Sequence, residues 1–124
     1  MKKWLTLILV SGCARAPIAG DSCKAIEATC ATSHTALSCR AGRLEKFECG
    51  GPRGCFTDSM RDVSCDQSNG AKAGEACFPE YENKAQCAAD FKDSYLICHL
   101  GRWVQLSCPG TTVCHVEAQG VLCR

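Results

Sequence analysis

Aromatic side chains are scarce in this 124-residue chain: four Phe, two Trp and two Tyr, 6% of the total. Large cores draw much of their buried area from such residues, so hydrophobic burial alone is a poor candidate for holding the protein together. Charge of either sign is also not in excess, with 14 Lys and Arg against 13 Asp and Glu and a net charge of +1. A nucleic-acid binder gains its affinity by neutralising phosphates with a basic surplus, and an acidic solvating tail needs the opposite surplus. Both classes are excluded. The longest apolar run, Trp4 to Val10, is seven residues. As a helix it rises about 10 Å, against a hydrocarbon core of about 30 Å. Histidines number three, His34, His99 and His115, and neither a Gly-x-Ser-x-Gly elbow nor a His-Glu-x-x-His pair occurs. No nucleophile, base and orienting group are therefore in view, and a non-enzymatic protein without a cofactor is expected. The carboxylates Asp58, Asp62, Glu80, Glu82, Asp90 and Asp93 are scattered and read as solubilising surface groups. Cys-x-x-Cys is missing too, which argues against a zinc site and for no metal.

What is abundant is cysteine, at 13 positions, a density of about a tenth that marks exported, disulfide-stapled proteins. Met1-Lys2-Lys3 followed by the short apolar run reads as a secretory signal over residues 1–12. The segment ends in Val10-Ser11-Gly12-Cys13, which resembles the lipobox of bacterial lipoproteins. That resemblance implies cleavage before Cys13 and a covalent lipid on its sulfur, with residues 13–19 as a tether. It also implies membrane anchoring, with Ala14 favouring the outer membrane of a Gram-negative cell. Setting Cys13 aside leaves twelve cysteines, an even number suited to complete pairing.

Those twelve fall into two similar sets. Cys23, Cys30, Cys39, Cys49, Cys55 and Cys65 are separated by 6, 8, 9, 5 and 9 residues; Cys77, Cys87, Cys98, Cys108, Cys114 and Cys123 by 9, 10, 9, 5 and 8. Cys39-Arg40-Ala41-Gly42-Arg43 aligns with Cys98-His99-Leu100-Gly101-Arg102, and Gly20-Asp21-Ser22-Cys23 with Gly74-Glu75-Ala76-Cys77. Such coincidences point to a module written twice, over residues 20–65 and 74–124, joined by a polar linker at 66–73. Modules of this size bury too little to fold unaided. Three disulfides apiece, each contributing about 2–4 kcal/mol, supply the remainder, and pairing is expected within a module. The expected fold is small, disulfide-rich and mainly β, built of short hairpins. Ser94 to Cys98 and Trp103 to Cys108 flank a Gly101 turn, Ala36 to Cys39 and Leu44 to Cys49 flank Gly42, and Val113 to Val116 pairs with Val121 to Cys123. Lys84 to Phe91, rich in Ala, is expected to form a helical turn.

Trp103 is the residue with two physical readings. On a strand it shares a side with Gln105 and Ser107, a ring beside an amide and a hydroxyl that suits stacking on a sugar. In a two-residue turn it instead lies across from Cys98, with the indole packed over a disulfide. Tyr81, Tyr95 and Phe78 could extend a platform or cover core. Cys98-His99-Leu100-Gly101-Arg102-Trp103-Val104, then Cys108-Pro109-Gly110-Thr111-Thr112-Val113-Cys114 and Val121-Leu122-Cys123, resemble the chitin-binding modules of carbohydrate-binding family 19. The resemblance implies glycan binding through the second module, with Trp103, Gln105, Tyr95 and Tyr81 as candidate contacts. Leu44 stands at the Trp position of the first module, which casts that module as a spacer or a protein-contact unit. The leading expectation is an envelope lipoprotein serving as a stapled interaction scaffold with a protein partner, as in adhesion or motility; chitin or peptidoglycan-like glycan binding is the alternative.

Overall fold

The computed structural model describes residues 15–124. The signal, the lipobox and Cys13 lie outside the described residues. The twelve later cysteines form six disulfides: Cys23–Cys39, Cys30–Cys55, Cys49–Cys65, Cys77–Cys98, Cys87–Cys114 and Cys108–Cys123. Every bond stays within its own set of six. In both sets the first cysteine pairs with the third, the second with the fifth and the fourth with the sixth.

The chain is almost wholly β. In the first half β1 (Ala28–Thr32), β2 (Thr35–Arg40) and β3 (Arg43–Glu48) form an antiparallel sheet in the order β1-β2-β3, followed by the hairpin β4 (Cys55–Thr57) and β5 (Val63–Cys65). In the second half β6 (Ala85–Cys87), β7 (Ser94–His99) and β8 (Arg102–Ser107) repeat the sheet, and β9 (Cys114–Glu117) with β10 (Gly120–Cys123) repeats the hairpin. Lys84 to Phe91 is not a helical turn. Ala85, Gln86 and Cys87 pair with Ile97, Leu96 and Tyr95 along a sheet edge, and the Cys87–Cys114 bond fixes that edge to the last hairpin. Among the described residues the single helical piece is a 3-10 turn, Pro79–Tyr81, started by the fixed φ of Pro79.

The central hairpins turn through two residues with positive φ, Ala41 (51°) with Gly42 (78°) and Leu100 (49°) with Gly101 (78°). This is the mirror-image turn whose twist matches the flanking strands. It sets the registers Cys39↔Leu44 and Cys98↔Trp103. The opening segments dock on these hairpins by matching bonds. The Cys23 N–H donates to Gly42 O and the Cys77 N–H to Gly101 O, both at 3.0 Å; the Gly20 N–H donates to Leu44 O and the Gly74 N–H to Trp103 O, both at 2.8 Å.

Of two interior clusters, one is shared by the halves and the other, around Leu96 and Trp103, belongs to the second half. Phe78 enters the first half and meets Phe47 edge-on, ring centroids 5.3 Å apart, among Ala36, Cys49, Cys65 and Ala76. Residues 66–73, read from sequence as a polar linker, are not a free spacer, because Gln67 is 2% exposed. Its amide nitrogen donates to Glu48 O (3.0 Å) and Ala76 O (3.1 Å), and its amide oxygen accepts from the Phe78 N–H at 2.7 Å. Its backbone carbonyl accepts from Gln86 Nε2 at 3.0 Å. Elsewhere Arg40 donates to the Leu100 carbonyl (2.6 Å) and the Gly101 carbonyl (3.2 Å), and Glu45 pairs with both Arg40 and Arg102.

Replacing Gln67 with Leu keeps the volume and strands two buried backbone groups, the Ala76 carbonyl and the Phe78 N–H. At about 1–3 kcal/mol for each unsatisfied group, a loss of about 2 kcal/mol or more is expected. Thermal unfolding under oxidising conditions measures it, and a loss below about 1 kcal/mol contradicts the latch.

Candidate functional site

Comparing the two halves residue by residue locates what the second has gained. The Glu27 N–H donates to Lys24 O and the Lys84 N–H to Tyr81 O; the Cys39 N–H donates to Glu27 O and the Cys98 N–H to Lys84 O. Tyr81 thus stands where the first half has Lys24, and Phe78-Pro79-Glu80 has no counterpart. These three residues account for the longer spacing between Cys77 and Cys87. They insert Phe78 into the shared interior and lift Tyr81 onto the 3-10 turn.

Tyr81 lies between two clefts. The first, about 260 Å³, is mostly apolar, with Trp103, Ala85, Val116, Gly120 and Val121 on its walls and Ser68, Lys84, Gln86 and Glu117 around them. The second, about 530 Å³, is polar and carries Arg53, Phe56, Asp58, Ser64, Asp66, Ser68 and Glu80. Tyr81 and Ser68 belong to both, so the clefts form one surface that passes over the tyrosine. Its larger part falls within the 300–1,000 Å³ typical of small-ligand sites.

The tyrosine is held from below. Its hydroxyl accepts the Gln67 backbone N–H at 3.0 Å, its ring lies 5.9 Å from the Trp103 ring at a tilt of 57°, and Lys84 Nζ sits 5.9 Å from the ring centroid. Burial raises the phenol above its ordinary value of 10.0, so it stays protonated and able to donate at neutral pH. In the polar cleft burial pushes the Asp66 carboxyl up. Bonds from Ser68 Oγ, the Arg53 N–H and the Ser68 N–H outweigh it and leave the group below its ordinary 3.8. Arg53 itself sits over Phe56, its guanidinium carbon 4.1 Å from the ring centroid.

The candidate contacts from sequence separate in space. Trp103 is 2% exposed and packs with Leu96, Tyr81 and the Cys77–Cys98 bond. Its side of the sheet is the inward one, so the stacking role is withdrawn and the indole becomes a wall beneath Tyr81. Its Nε1 has no hydrogen-bond partner. Tyr95 is half-buried on the opposite side of the sheet, across from Leu106. Gln105 is exposed beside Ala71 to Ala73 and Phe91, in a cleft apart from Tyr81. Only Tyr81 and Trp103 come together. Phe56, Arg53, Ser68 and Lys84 were not legible as site residues; the one signal for the region was the three extra residues before Cys87.

Two other groupings have a structural account. Cys77, Glu82 and Cys98 cluster like metal ligands, yet the two sulfurs are bonded to each other. Glu82 accepts the Leu100 N–H (2.6 Å) and the Gly101 N–H (3.0 Å). A cleft of about 540 Å³ beside it spans the halves, but Arg40 and Glu82 on its walls are spent on fixing the Leu100–Gly101 turn.

Asp66 sets a pH dependence. A carboxyl with a lowered folded value adds stability above its unfolded value, and that contribution disappears as pH falls through the lowered one. The stability gap between the wild type and Asp66→Asn is therefore expected to be full above about pH 5 and to shrink as pH falls below about 4. Denaturation measured across that range checks it, and a constant gap contradicts it.

No curated protein and no solved structure matches the chain. A family profile does: the carbohydrate binding domain (family 19) profile matches residues 55–119. The match reaches well beyond the cysteine-rich tail of the second half. It begins at Cys55 in the first half and takes in the inserted turn and most of the walls of both clefts. With half of its length matched by that profile, the chain belongs to carbohydrate-binding domain family 19.

Proposed function

We propose that this protein is a non-catalytic chitin-binding module whose ligand lies over Tyr81. The observation that carries the reading is the coincidence of the family match with the walls of the two clefts that meet at that residue. Pyranose rings have apolar C–H faces and a rim of hydroxyl groups. A tyrosine ring suits the face, and Ser68, Lys84, Gln86 and Glu117 suit the rim. The acetamido methyl of N-acetylglucosamine matches the apolar side, where Val116, Val121 and the indole wall gather. Six disulfides keep these groups in place before the ligand arrives, which lowers the ordering cost of binding. The scaffold role in adhesion or motility has no comparable observation behind it.

Retention on insoluble chitin, with cellulose beside it, tests the reading. Wild-type protein is expected to bind chitin in preference. Tyr81→Ala is expected to lose about tenfold or more in affinity, about 1.4 kcal/mol. Tyr81→Phe, which keeps the ring, should lose little. Equal retention of wild type and Tyr81→Ala contradicts the site, and no retention of the wild type contradicts the function.

Export and lipid anchoring at Cys13 complete the proposal. In support, Val10-Ser11-Gly12-Cys13 has the lipobox pattern, and the twelve cysteines from Cys23 to Cys123 satisfy one another. The arrangement would hold a glycan-binding surface at an outer membrane. Intact mass of protein made in a Gram-negative host is expected to show loss of residues 1–12, added acyl chains and no free thiol. A free Cys13 contradicts the anchor.

A further inference from the structure

We infer that the binding surface continues past Tyr81 onto the first half, where Arg53, seated over Phe56, contacts a second sugar unit, so that the ligand is an oligosaccharide of at least two contiguous residues. This rests on the carbohydrate reading above and extends it to a segment expected to be a spacer.

The apolar cleft beside Trp103, about 260 Å³, is smaller than a typical ligand site by itself. It adjoins the cleft of about 530 Å³, with Tyr81 and Ser68 on the walls of both. A polymer laid over Tyr81 therefore has room on both sides. On the far side the Arg53 N–H donates to Asp66 Oδ2 at 3.0 Å, which fixes the root of the side chain, while the guanidinium carbon rests 4.1 Å from the centroid of the Phe56 ring. Arg53 makes no ion pair among the described residues. Its planar fork of N–H donors is thus stiff, aligned and available, a pattern suited to neighbouring sugar hydroxyls and one that a lysine cannot reproduce. Ser64 and Ser68 add hydroxyls on the same walls. Arg53 is exposed, so changing it leaves the interior intact.

Calorimetric titration of the whole protein with N-acetylglucosamine oligomers of one to four units tests the inference. Wild-type affinity is expected to climb with length. Arg53→Ala should lose about tenfold for the four-unit ligand and leave the shortest binding ligand unchanged, and Arg53→Lys should recover only part of the loss. A parallel length profile in wild type and Arg53→Ala overturns the extension while the Tyr81 site stands. A wild type that binds no oligomer overturns the carbohydrate reading and the extension together.

Discussion

One buried amide ties the molecule together. Gln67 reaches the first half at Glu48, the second at Ala76 and Phe78, and supports the Tyr81 hydroxyl through its own backbone N–H. Two of the three amide contacts, to the Ala76 carbonyl and the Phe78 N–H, are buried, so each is costly to break. Because the same residue fixes the joint between the halves and the height of Tyr81, the candidate binding surface is a property of the joint. Neither half owns it.

The two kinds of interaction in the protein divide the labour. Disulfides restrain each half, where so few aromatic residues are available. The aromatics that exist are concentrated elsewhere, with Phe47 and Phe78 at the joint and Tyr81 with Trp103 beside it. A short insertion relative to the first half supplies one of these four rings, Phe78, and lifts a second, Tyr81, into place. Phe78, just before the 3-10 turn, fills the joint, and Tyr81 at the end of the turn furnishes the half-buried ring, so packing and recognition are served by neighbouring residues.

Much of this architecture is legible in sequence, because cysteine spacing and glycine turns act locally. Gly42 and Gly101 fix two-residue turns, the turns fix register, and register sets Cys98 across from Trp103. The β class, the hairpins and the confinement of disulfides to each set of six follow from such short-range signals. The binding surface does not, since it is made by residues far apart in the chain. Phe56 and Arg53 gain meaning only after the first half folds against the inserted turn. Trp103 was the conspicuous candidate, yet its side of the strand faces inward, and alternation alone could not say which side the rest of the chain would cover. Ala85 to Cys87 shows the reverse failure: an alanine-rich composition suggested helix, and pairing with β7 overrode it.

The buried indole has a practical corollary. Trp4 and Trp103 are the two tryptophans of the chain, and removal of the signal segment would leave Trp103 as the sole tryptophan. It sits against a disulfide, a known type of quencher, and 5.9 Å from the Tyr81 ring. Its emission would then be dim in the native protein, brighten on reduction and shift when anything settles on the tyrosine above it, giving the molecule an optical gauge that needs no label.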